Sequence, residues 1–146
     1  MASVENLLKE AVKAEIAGDS DLSGALKGWY YGRQPNNPPK PYLRWEWLGG
    51  GRGHAFGSAC KASTGEFLLI FHIFSDGGSS APGASTEAET IQQYLHTLFD
   101  GGTLDVTGYR TITLLRPEED QTVYEDETGL WHIVVTYRGR ANPSPP

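Results

Sequence analysis

Apolar residues at Val4, Leu7, Leu8, Ala11 and Val12 fall on one face of a 3.6-residue period and predict a helix over Ser3–Ala17. Ser3 is placed to cap its start, and Gly18 to end it in a left-handed conformation. Gly28–Pro41 reads as a loop, crowded by Pro35, Pro38, Pro39 and Pro41. Its aromatics Trp29, Tyr30 and Tyr31 indicate that part of it packs down. Tyr42–Leu48 alternates, with Leu43, Trp45 and Trp47 on one face and Arg44 and Glu46 on the other, which predicts a half-buried strand. Gly49–Gly53 (GGGRG) breaks that strand, and a short strand through His54–Ala59 would complete a hairpin. Phe67–Phe74 (FLLIFHIF) is apolar on both faces and predicts a central strand.

Ser75–Ser85 is a loop of small residues. Thr86 and Glu89 have capping-box spacing, and Ala88, Ile91, Leu95, Leu98 and Phe99 form the apolar stripe of a second helix, ended by Gly101-Gly102. Tyr109–Arg116 predicts a strand with Ile112 and Leu114 inward, stopped by Pro117. In the final block, Gln121–Arg140, the acidic Glu125, Asp126 and Glu127 precede Thr128-Gly129 and then a strand. Leu130, His132, Val134 and Thr136 share one face of it; Trp131, Ile133, Val135 and Tyr137 share the other. Both faces carry apolar residues. The sheet should therefore be covered by its own helices on one side and by another molecule on the other. Assigning Trp131 and Ile133 to the internal face leaves Val134 for the contact.

This order predicts an α+β fold, a two-layer sandwich with a mostly antiparallel sheet and two helices packed on one face. Residues 1–140 form one domain, and 141–146 a flexible Pro-rich tail. A chain of 146 residues buries roughly 70% of its unfolded surface without needing a metal or disulfide. The single cysteine, Cys60, excludes an internal disulfide framework and fits a reducing compartment. No apolar run reaches membrane-spanning length, and no signal-peptide core opens the chain.

Formal charge is −6, which argues against a DNA- or membrane-binding surface. No Lys or Arg occurs between Lys61 and Arg110, whereas six carboxylates lie in Glu118–Glu127. Such a chain still suits a path along which DNA slides without sticking.

Catalytic chemistry finds little support. Gly49–Gly57 has neither nucleotide-binding glycine spacing nor a helix directly behind it, so a flexible hairpin tip is the plainer reading. His54, His72, His96, His132 and Cys60 lack metal-ligand spacing; within strands, His72 and His132 read as hydrogen-bonded structural residues. A Cys60–His dyad has no positive signal. The carboxylates of Glu118–Glu127 read as a solvated loop, and Arg33 and Arg52 as isolated loop cations. No catalytic residue, cofactor or metal is expected.

Several segments resemble the tail completion, or tail terminator, proteins of long-tailed bacteriophages and gene-transfer particles. They are the helix VENLLKEAVKAEIAG, the run WYYGRQP leading to PKPYLRWEW, the helix EAETIQQYLHTLFDG, Arg116, and the block VYEDETGLWHIVVTYR from Val123 to Arg138. The similarity covers most of the chain in element order and is most specific in the last block. It implies a non-enzymatic virion protein at the head-proximal end of the tail, assembled in the host cytoplasm. Such proteins form rings, commonly hexamers, that stop growth of the tail tube and offer a surface to the head connector or stopper. DNA passes through the lumen without specific binding, and no membrane is involved. On this reading the candidate contacts are Gly50, Gly51, Arg52 and Gly53, then Asp76, Gly77 and Gly78, and on the last strand His132, Val134 and Thr136. The alternatives are another virion part, such as a tube subunit or stopper, and a small cytosolic enzyme or ligand-binding α+β module. The last would need a deep pocket of converging polar groups.

Overall fold

The computed structural model describes residues 4–49, 65–79, 81–104, 106, 109–116 and 119–143. Among them the order is α1 (Val4–Gly18), α2 (Ser20–Ala25), β1 (Gly28–Tyr31), β2 (Tyr42–Gly49), β3 (Gly65–Ser75), α3 (Thr86–Phe99), β4 (Thr103–Leu104), β5 (Tyr109–Leu115), β6 (Gln121–Glu125) and β7 (Leu130–Pro143). The expectations for Ser3, for Gly50, Gly51, Arg52 and Gly53, for the strand His54–Ala59, and for Cys60, Pro117, Pro145 and Pro146 lie outside the described residues.

The fold is α+β. Helices cover one face of a seven-stranded sheet ordered β1-β2-β3-β7-β5-β4, with β6 also paired to β7. Every pairing is antiparallel except β1 with β2. Strand β7 spends one edge on β3, from Ser75↔Trp131 to Gly65↔Ala141. Its other edge is shared by β6 along Leu130–Val134 and by β5 along Arg138–Pro143. The described sheet thus has β1 at one border and β6 with β4 at the other.

Period-2 alternation places the core. Leu43 and Trp45 of β2, Phe67, Leu69, Phe71 and Ile73 of β3, and Ile133, Val135 and Tyr137 of β7 all face the helices and are buried. Leu8, Val12 and Ile16 of α1 and Ala88, Ile91, Leu95 and Phe99 of α3 cover them. At Gly139 of β7, the Phe67 ring occupies the space a Cβ would need, so the absence of a side chain is what lets that aromatic lie flat on the sheet.

Several local expectations are corrected. There are three helices among the described residues, not two. Gly18 does not enter the left-handed region. Asp19 instead redirects the chain by accepting a 2.8 Å bond from the Leu22 N–H, which caps α2 and buries Leu22. Thr86 is the first residue of α3 rather than its cap. Ser85 precedes it, and its hydroxyl donates to Glu89 Oε1 at 2.9 Å. Gly28–Tyr31, read as loop, is a strand, and so is Gln121–Glu125. Strand β7 runs on to Pro143, into the segment read as a tail.

Candidate functional site

The sheet face that no helix covers among the described residues, the helix-free face, carries both buried and exposed apolar side chains. Tyr42, Phe74 and Leu130 form a small buried cluster at one end, with Tyr30 against it. Tyr42 stacks on Phe74 at 4.8 Å between centroids, and Phe74 stacks on His132 at 4.3 Å. At the other end Leu48 and Leu115 are 53% and 64% exposed. The sequence placed apolar residues on both faces of the central strands. The structure assigns the odd-numbered residues of β7 to the core and the even-numbered ones here.

Four side chains from four strands form a line across this face. His72 Nδ1 of β3 meets His132 Nε2 of β7 at 2.8 Å. Outward from that contact, His72 Nε2 faces Glu46 Oε1 of β2 at 3.4 Å, and His132 Nδ1 faces Glu125 Oε2 of β6 at 3.2 Å. Register explains the line: His72 pairs with Arg44 and Val134, and His132 with Phe74 and Val123. The two inner nitrogens share one contact, so one donates and the other accepts. Each outer ring nitrogen faces a carboxylate oxygen, which can accept its proton.

Protons on both inner nitrogens would set two N–H groups against each other across 2.8 Å. Burial, and after it the Arg44 guanidinium, lower the proton affinity of His72 below the ordinary histidine value of 6.5. The charged groups facing the pair are Arg44, Glu46 and Glu125. For a histidine whose folded affinity is depressed, the unfolded chain takes the proton first. The stability contributed by His72 is complete above pH about 6.5 and falls as pH drops toward the folded value. Thermal melts between about pH 7.5 and 5.5 should show a falling midpoint, and His72→Gln should flatten that fall. An unchanged slope in the variant would remove His72 as its source.

A second polar cluster ties α3 to the strand connections. The Asp120 carboxylate accepts from Gln92 Nε2 and from His96 Nε2, both at 2.6 Å, and lies 3.6 Å from Arg116 Nη1. Arg116 also pairs with Asp100 at 3.0 Å, and Asp100 accepts the Tyr137 hydroxyl at 2.7 Å. Burial and that bond to Asp100 raise the Tyr137 pKa far above the usual phenol value. Asp120, with its side chain only 6% exposed, corrects the reading of Glu118–Glu127 as wholly solvated. Among the described residues no group of His, Cys, Asp and Glu could hold a metal ion, and no helix is long and apolar enough to cross a membrane.

Solved structures share this fold. A chain from the virion of a native gene transfer agent particle superposes with a TM-score of 0.70 at 13% identity, covering 97% of this chain and 98% of that one. Another solved structure superposes with a TM-score of 0.72 at 14% identity, covering 99% of this chain and 100% of that one. No protein-family model matches, and no curated protein sequence does. The shared architecture runs end to end through the α+β sandwich.

Of the expected contact residues, His132, Val134 and Thr136 form one row on the helix-free face. Asp76, Gly77 and Gly78 lie elsewhere, in a loop folded on the start of α3. There the Gly77 N–H donates to Ser75 Oγ at 3.0 Å, and Ser75 Oγ donates to Glu87 Oε1 at 2.7 Å. Gly77 has φ +92, and a Cβ would press on the Gly83 nitrogen at 2.7 Å. Trp131 closes the loop by donating its indole N–H to the Gly83 carbonyl at 3.0 Å. Sequence reasoning missed Glu46 and Glu125 as partners of the histidines. The alternation that set Glu46 beside Arg44 on the outer face was the available signal for the first. No local pattern marks the second, because β6 is exposed almost throughout and shows no apolar alternation.

Proposed function

We propose that this chain is a virion assembly protein of the tail terminator kind. It acts as a non-enzymatic ring, a hexamer by resemblance, on the head-proximal end of the tail tube. The ring stops tube polymerisation and joins the tail to the head connector, with DNA passing through its lumen unbound. The observation that carries this reading is the helix-free sheet face, where Leu48 and Leu115 remain exposed beside the partly buried Leu68, Ile70 and Val134. Apolar strand surface of that kind on a soluble subunit is suited to contact with like subunits or a tubular partner. The end-to-end likeness to a chain of a gene transfer agent virion supports the same setting.

Particles produced without this protein should carry overlong tails, or tails not joined to heads, when viewed by electron microscopy. Tails of normal length attached to heads in its absence would overturn the reading.

A further inference from the structure

The opposite borders of the sheet carry opposite charge. At the β1 border, α1 and the strand enclose an open cleft of about 340 Å³. Lys9, Lys13 and Arg33 line it together with Trp29, Tyr31 and Trp45. Its polar groups are mostly donors, and Glu10 is the one carboxylate lining it among the described residues. The buried Trp45 indole N–H has no hydrogen-bond partner among the described residues. Lys9, Lys13 and Arg33 form no ion pair among the described residues; Lys9 Nζ sits 5.8 Å over the Tyr31 ring. A cleft of donors and cations on a chain of charge −6 is built for an acceptor-rich, anionic partner.

The other border supplies that chemistry. Among the described residues strand β6 pairs only with β7, and it is exposed along nearly its whole length, with Val123 at 53% and Tyr124 at 40%. Its turn into β7 presents Asp126 and Glu127, both exposed and without ion pairs among the described residues. Both border strands also leave one backbone edge without a strand partner among the described residues. A ring of identical subunits needs two different, mutually complementary patches on each copy. Like borders repel here and unlike borders attract.

We propose that the β1 cleft of one copy receives the acidic β6–β7 border of the next, so that charge sets the head-to-tail direction of assembly. This inference rests on the ring reading above and names the surfaces that close the ring. Lys9 and Arg33 would take the carboxylates of Asp126 and Glu127, and Tyr124 and Val123 would pack against Trp29 and Tyr31.

Two charge-reversed proteins test it. One carries Lys9→Glu, Lys13→Glu and Arg33→Glu; the other carries Asp126→Lys and Glu127→Lys. All five positions lie on the surface, and circular dichroism checks that both proteins are folded. Sedimentation and native mass measurement at low salt read the assembly. The wild-type protein should self-associate, and each variant alone should do so about tenfold or more weakly. An equimolar mixture of the two should recover association, because every junction in an alternating assembly then joins unlike charges. If wild type and both variants associate equally, the charged borders are not the junction, and the ring reading survives with a different contact. If wild type shows no self-association at any salt concentration, alone or on tail tubes, ring and junction fall together.

Discussion

Truncating Phe71 to alanine is expected to cost about 3–5 kcal/mol of folding stability, read from chemical denaturation. Phe71 is fully buried at the centre of β3. Its ring stacks on Phe99 of α3 at 5.1 Å and meets Tyr137 of β7 edge-on at 5.9 Å. It therefore joins the central strand, the neighbouring strand and the covering helix at one point. Alanine would leave a cavity that Phe99 and Tyr137 are poorly placed to fill, since Tyr137 is tethered through its hydroxyl to Asp100. Leucine keeps much of the volume, and Phe71→Leu should cost about 1.5 kcal/mol or less. The contrast that matters is with the other face. Val134→Ala removes two methyl groups from a half-buried position and should cost about 1 kcal/mol or less, while weakening assembly. Equal losses of stability from both substitutions, with assembly untouched in each, would contradict the two-faced sheet.

That face assignment shows what local pattern can and cannot disclose. Alternation in Tyr42–Leu48 and Leu130–Tyr137 separated the two faces correctly, because a period of two fixes which side chains share a side. The apolar run Phe67–Phe74 marked the central strand for a different reason, since a strand with neighbours on both edges carries apolar residues on both faces. Helix stripes at Leu8 and Val12 and at Ile91 and Leu95 were visible because each faces one continuous core. The misses have physical causes too. Strand β1 has only four residues and lies beside a proline-crowded stretch, so its aromatics gave no period to read. Strand β6 is exposed almost throughout and offers no apolar alternation. Helix α2 depends on one cap and one buried leucine, too little for a periodic signal.

The polar sites were less visible because their members are far apart in the chain. His72 and His132 are 60 residues apart and meet only through the β3–β7 register. That they are hydrogen-bonded histidines within strands could be reasoned from residue type, but the pairing could not. The basic cleft at β1 draws on α1, β1 and the turn beyond it. Its significance comes from location: an acidic chain concentrates at one border three cations that form no ion pair among the described residues, and its acidic turn at the other. Net charge alone conveyed only the sum, and so pointed to repulsion from DNA rather than to attraction between copies.

Replacing Asp120 by alanine is expected to destabilise the fold by about 3 kcal/mol. The carboxylate is nearly inaccessible and gathers three donors from two directions: Gln92 and His96 from α3, and Arg116 from the end of β5. Its removal would leave the amide of Gln92 and the ring nitrogen of His96 without their acceptor, and would strip Arg116 of one of its two carboxylates. Unsatisfied buried donors, rather than the lost attraction, account for most of such a penalty. Asparagine separates the two contributions. Asp120→Asn keeps an acceptor for Gln92 and His96 but removes the charge, and should cost about half as much, on the order of 1.5 kcal/mol. Alanine and asparagine losing the same amount would show that charge, not hydrogen bonding, secures the cluster. Alanine within about 0.5 kcal/mol of wild type would show that α3 is held by its apolar stripe alone. The position also controls for the assembly argument, because Asp120 lies beside the acidic border but points inward. Its loss should lower the melting temperature of the isolated subunit, whereas reversal of Asp126 and Glu127 should leave that temperature nearly unchanged and act on association.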